Sequence, residues 1–241
     1  MEILMEELQG FFKGLIKAKL VIPLTASYFF MAFIGVIAES NKDMSLILMT
    51  KPFLMPLMLM MYVCASKKYN TLFIVSLFAV WIANMFLISE AMEMILTGSI
   101  CFLIYRIAVI LMVLKITKFP GYLPMVIGSL PFLILYLFAA HITYQEPGER
   151  FVLFVVQGIF MIFFGGFCLG SYILKSNKTN TLLLISALLF TTAQFLIVLK
   201  VFNISHAIFQ PLTMLSFVIG QYLLYQYVLM EEKRKRRYKS A

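Results

Sequence analysis

Eight apolar stretches, each about 20 residues long and separated only by short polar gaps, fill the chain from about residue 20 to about residue 230. A helix rises about 1.5 Å per residue, so a run of about 20 matches the ~30 Å hydrocarbon core of a bilayer. The runs lie at about 20–38, 44–65, 70–88, 94–114, 120–140, 151–173, 180–199 and 206–230. The composition agrees, with 62% hydrophobic and only 13% charged residues, too few charges to cover a soluble domain of 241 residues. The expected fold is therefore an all-α, polytopic transmembrane helical bundle of about eight helices. Its short connections make sequence neighbours antiparallel.

Three regions follow: an N-terminal segment 1–19, the transmembrane domain 20–230 and a basic tail 231–241. The first, "MEILMEELQGFFKGLIKAK", mixes apolar and basic positions at roughly helical spacing and reads as an interfacial helix or a frayed leader. Acids precede its apolar part and no small-x-small site follows, so a cleaved signal peptide fits poorly.

Charge gives the expected orientation. Lys13, Lys17, Lys19, Lys67, Lys68, Lys115, Lys118, Lys175, Lys178 and the tail residues Lys233, Arg234, Lys235, Arg236, Arg237 and Lys239 fall on one side of the alternating pattern. The other side holds Lys42, Arg150 and Lys200. By the positive-inside rule the first side is cytoplasmic, which puts both termini there and requires an even number of crossings. The net charge of +9 is thereby assigned to the anionic inner leaflet, with the tail "EEKRKRRYK" touching lipid headgroups, and not to nucleic acid. Short loops and the lack of accessory domains suit a bacterial inner membrane, although an endoplasmic reticulum location satisfies the same rules.

Cys64, Cys101 and Cys168 stand singly in apolar runs, and His141 and His206 have no acidic or cysteine neighbour at ligand spacing, so no metal, redox pair or cofactor is expected. Pro23, Pro52, Pro56, Pro124, Pro131 and Pro211 fall within apolar runs, where neighbouring helices must re-satisfy the carbonyls they free. Gly165, Gly166 and Gly170 read as a close helix contact. A faint echo between "ANMFLI" at 83–88 and "AQFLIV" at 193–198 would relate two parallel four-helix halves.

None of the eleven carboxylates lies deep in an expected span. Acid–base catalysis and proton coupling ordinarily place Asp, Glu or His inside a bundle, because those groups exchange protons near neutral pH. The polar residues at depth are instead Lys51, Asn84, Arg106, Gln157, Gln194 and Gln221, the candidate ligand-binding residues; no catalytic residue is nominated. With no acid available in the spans, the two cations must meet carbonyls, amides, water or an anionic ligand such as a lipid phosphate. The amides equally suit structural glue between helices. Tyr28, Tyr62, Tyr105, Tyr172, Tyr222 and Tyr225 add hydroxyls, some of which an interfacial aromatic belt explains.

Three blocks, "KPFLMP" at 51–56, "SALLFTTAQFLI" at 186–197 and "LSFVIGQYL" at 215–223, stand in this order along the chain, and through them it resembles, over nearly its whole length, the YhhN/TMEM86 family of eight-helix membrane proteins, which includes lysoplasmalogenases. The first block stands where the family has its early "KP-x-x-MP" pattern. The second corresponds to the family's later "G-x-LLF-x-x-SD-x-LL" stretch, and the third follows it. The departures fall on the titratable positions. Where the family has an aspartate after glycine in the third helix, this chain has Asn84 after Ala83. Where it has an aspartate after serine in the seventh, it has Gln194 after Ala193. The family's fourth-helix histidine falls on Arg106, counted from Gly98, while Lys51 and Gln221 are retained.

The resemblance implies cleavage of the vinyl-ether bond of lysoplasmalogens, which needs a proton delivered to the enol-ether carbon and water added to the resulting cation. Amides cannot do this, and arginine stays protonated. The expectation is a non-catalytic protein that binds a lysophospholipid or similar single-chain amphiphile in its bundle, with membrane lipids as its partners. Two alternatives stand beside it: lysoplasmalogenase activity through a rearranged site, which requires a buried protonatable group reaching a cavity, and a small transporter or a structural or sensory subunit.

Overall fold

The computed structural model describes residues 2–89, 91–143, 149–201 and 206–237. The described chain is all helical: α1 (Glu2–Asn41), α2 (Met44–Ala65), α3 (Thr71–Phe86), α4 (Met92–Ile116), α5 (Tyr122–Thr143), α6 (Glu149–Leu174), α7 (Lys178–Val201) and α8 (Phe209–Arg237). Polar gap residues start several of them. The Asp43 carboxylate accepts the N–H groups of Ser45 and Leu46, and the Asn70 side-chain oxygen accepts those of Leu72 and Phe73. Each cap of this kind contributes about 1 kcal/mol. Between α6 and α7, the Asn180 amide donates to the carbonyls of Ser171 and Lys175 and so closes the end of α6.

Among the described residues, seven helices are long and apolar enough to cross a membrane, which makes the chain an integral multi-pass membrane protein. The eighth, α3, is apolar but has only 16 residues, about 24 Å of helix. It was expected to reach residue 88. Instead it stops at Phe86, and its last turn tightens as Ile88 and Ser89 donate to the carbonyls of Met85 and Phe86. α1 differs in the opposite sense: it runs unbroken from the N-terminal segment through the first span to Asn41, three residues past the expected end of that span. Lys239 and the rest of the tail beyond residue 237 lie outside the described residues, as do the side chains of Arg150 and Lys200.

Helix contacts run α1–α2–α3–α4–α6–α7–α8 and back to α1, with α5 packed outside against α6 and α7. Large apolar side chains point outward all round, as a lipid-facing surface requires; on peripheral α5, Leu123 is 72% and Ile134 66% exposed. The α5–α6 contact is backbone on backbone. A Cβ placed on Gly128 would stand 2.6 Å from the Gly166 carbonyl oxygen, and one on Gly170 would stand 2.8 Å from that of Pro124. The glycine stretch read from the sequence is thus a close-packing face.

Two further contacts tie the bundle. Pro56 has no N–H for the Pro52 carbonyl, and the indole N–H of Trp81 on α3 donates to that oxygen at 2.8 Å. At the end that carries the basic tail, Glu232 of α8 accepts from Tyr62 and Ser66 of the α2 terminus, each at 2.6 Å. Tyr62 in turn accepts the Asn70 N–H at the start of α3. Tyr28, Tyr62, Tyr105 and Tyr225 are all buried, so these four belong to the interior and not to an interfacial belt.

Candidate functional site

The half of the bundle remote from the basic tail contains a cavity of about 840 Å³. It forms where α3 ends early, and Leu87, Ile88 and Ser89 border it there. Residues of α1, α2, α4, α6, α7 and α8 complete the wall. Lys42, Met44 and His206, all exposed, lie along its edge, so the cavity reaches the surface at that end. Its deeper wall is apolar, with Val109, Phe164, Phe190, Met214 and Phe217 among its members. The size and the mixture of apolar wall with a few polar groups are those of a small-molecule site.

Five of the six residues nominated from the sequence line this one cavity: Lys51, Asn84, Arg106, Gln157 and Gln194. Gln221 does not. It is fully buried behind the wall and accepts a hydrogen bond at 2.7 Å from Tyr105, which does line the cavity.

Arg106 is the centre of a directed hydrogen-bond chain. Its Nη2 donates to Gln194 Oε1 at 2.6 Å and its Nη1 to the Gln157 carbonyl at 3.1 Å. Gln194 Nε2 passes the chain to Gln157 Oε1 at 2.8 Å, and Gln157 Nε2 points to the Ser99 carbonyl at 3.4 Å. Each amide presents its oxygen to a donor and its nitrogen to an acceptor, so both glutamines are fixed in orientation. The guanidinium also lies over the Phe102 ring, 5.6 Å from its centre. A guanidinium carries five N–H groups, and among the described residues only those two protein acceptors meet it. No carboxylate forms an ion pair with it there.

Lys51 departs from expectation. With no acid thought available in the spans, it was expected to meet carbonyls, amides, water or a ligand; its ammonium instead contacts Glu39 Oε1 at 2.6 Å. Glu39 is only 8% exposed and lines the cavity. The extension of α1 is the reason. Tyr28, Ala32, Gly35 and Glu39 form one buried stripe at spacings of four, three and four, so the helical period carries Glu39 inward past the end of the apolar run. The four-three-four spacing of that stripe is the sequence signal for Glu39, whereas hydropathy alone ends the span at residue 38.

The site can therefore hold an anion against Arg106, offer amide hydrogen bonds, and bury an alkyl chain against the apolar wall. Among the described residues it also contains one acid, Glu39, engaged by Lys51. No cluster of three or more metal-ligating side chains occurs among the described residues.

Residues 46–228 match the YhhN family, as the sequence blocks suggested. Neither a curated protein nor a solved structure matches the chain.

Proposed function

Starting from the premise that the chain belongs to the YhhN family, we propose that it binds a single-chain amphiphile with an anionic head, of the lysophospholipid kind, without cleaving it. The observation that carries this reading is Arg106: a cation beside a largely apolar cavity, oriented by two amides and matched with no carboxylate among the described residues. An unpaired cation at membrane depth is costly, and a ligand phosphate would offset that cost through charge-assisted hydrogen bonds. Asn84 and Gln194 occupy the positions where the family resemblance implies aspartates, so the cavity keeps hydrogen bonding there and loses two acids. The orientation that goes with this reading has both termini cytoplasmic, the basic tail on anionic inner-leaflet lipids, and the cavity opening on the opposite side of a bacterial inner membrane.

One observation favours a second reading, lysoplasmalogenase activity. Glu39 is a buried protonatable group that reaches the cavity, the feature this alternative needs. Against it, cleavage starts with proton delivery to carbon, and Glu39 is held in contact with the Lys51 ammonium.

Aldehyde release from a lysoplasmalogen by the purified protein separates the two. No release from the unmodified protein is expected, together with saturable binding of the same lipid. An Asn84→Asp, Gln194→Asp, Arg106→His variant measured beside it tests whether lost acids explain the silence. Release by the unmodified protein that disappears in Glu39→Gln would establish the second reading and end the first.

A further inference from the structure

The cavity holds more charge than its ligand-binding reading requires. Among the described residues, Lys42, Lys51 and Arg106 are the cations on its wall, and Glu39 is the acid that faces them. These charges are not equivalent in place. Glu39 lies near the end of α1 and Lys51 in the first half of α2, both towards the open end, with Lys42 exposed in the turn between those helices. Arg106 is held on the other side of the cavity by α6 and α7. The Glu39–Lys51 contact at 2.6 Å therefore cancels one of the two cations that the apolar wall partly shields from water, and leaves Arg106 as the other.

We propose that Glu39 is a specificity-determining residue: by neutralising Lys51 it sets the cavity to accept a head with one negative charge, a phosphodiester, and to disfavour a doubly charged phosphomonoester. The inference rests on the amphiphile-binding reading above. Its physical basis is local. A monoester dianion close enough to use both Arg106 and Lys51 must either share Lys51 with the Glu39 carboxylate or face that carboxylate at short range. Like charges in a partly shielded cavity repel more strongly than in water. A diester needs Arg106 alone and leaves the Glu39–Lys51 pair intact. Replacing Glu39 by glutamine keeps the side chain's size and one acceptor oxygen while releasing the lysine charge to the cavity.

The test compares two lipids with the same oleoyl chain, lysophosphatidate as the monoester and lysophosphatidylglycerol, whose head carries a single negative charge, as the diester. Both are titrated into full-length protein in nanodiscs of zwitterionic lipid. The unmodified protein is expected to favour the diester. Glu39→Gln is expected to tighten monoester binding by about tenfold or more, with diester binding changed by less than about threefold. Glu39→Gln, Lys51→Met is expected to lose that gain, since the gain comes from the freed lysine. An equal change for both lipids in Glu39→Gln would overturn the role of Glu39, because a merely structural effect moves both together. Diester binding with no change for the monoester would do the same while leaving the binding reading intact. No binding of either lipid by either protein would overturn the binding reading itself, and this inference with it.

Discussion

Arg106 carries opposite consequences for stability and for binding. The guanidinium is taken from water into the bundle and, among the described residues, returned only two protein hydrogen bonds and a ring contact. Replacing a poorly compensated charge by a neutral side chain of similar reach is frequently neutral or stabilising. Arg106→Gln is therefore expected to unfold at the same temperature or a few degrees higher in detergent, while its affinity for an anionic amphiphile falls by about tenfold or more. A differential scanning measurement beside a lipid titration checks both halves; a large fall in melting temperature would show that the cation is structural. Gln194→Leu removes an acceptor from Arg106 and a donor from Gln157 together, and is expected to cost about 1 kcal/mol, within the range of interhelical hydrogen bonds in membranes. A double-mutant cycle with Arg106→Gln isolates the direct term. Most of this cluster was legible in the sequence, because a glutamine or arginine inside an apolar run has few reasons to be there and Lys51, Asn84, Arg106, Gln157 and Gln194 each stand out singly. Their convergence was not, since it depends on the rotation of five helices, α2, α3, α4, α6 and α7, about their own axes. Glu39 was hidden for a different reason: hydropathy marks where apolar residues stop, while the helix and its buried stripe continue.

Among the elements, α3 and the α5–α6 pair show where backbone chemistry constrains the bundle. The indole of Trp81 replaces the N–H that Pro56 cannot give to the Pro52 carbonyl, so it joins α3 to α2 at a point where α2 has lost an internal bond. Trp81→Phe keeps the ring and removes the donor. It is expected to destabilise by about 1 kcal/mol, the cost of leaving that carbonyl without a partner, as measured by unfolding in mixed micelles. Between α5 and α6 nothing can give, because the atoms facing Gly128 belong to the backbone of Gly166 and Gly170. Gly128→Leu must push the helices apart, and a loss of about 2 kcal/mol or more is expected, visible as reduced yield of monodisperse protein. Leu130→Ala, on the same helix but half exposed to lipid, should leave that yield unchanged. The glycine stretch in α6 announced this interface in sequence; its partner on α5 did not stand out, since a single glycine beside a serine carries little pattern. The shortness of α3 is not legible in the sequence, because Leu87 and Ile88 extend the apolar run after the helix has ended.

For the whole molecule, the short third helix poses the question of how many times the chain crosses. About 24 Å of helix falls short of a ~30 Å hydrocarbon core, yet the polarity of the flanking segments still alternates, with Lys67 and Lys68 before α3 and the cavity-lining Ser89 after it. A water-accessible cavity removes the conflict. If the α3 terminus ends in that cavity and not in lipid, its polar groups need not reach the bilayer surface, and irregular backbone at membrane depth is tolerated where it borders such a space. The charge pattern then holds with eight crossings. Single cysteines introduced at Lys42, Ser89 and His206 should react with an impermeant maleimide from the outside of intact cells, and those at Lys68, Lys118 and Lys175 only after permeabilisation, in a background where Cys64, Cys101 and Cys168 are replaced by alanine. Labelling at Ser89 is the decisive point, because a seven-crossing chain in which α3 turns back would place it with Lys68. Occupancy connects this topology to function: a bound single-chain amphiphile should slow labelling at Ser89, which borders the cavity, and leave that at Lys175 unchanged.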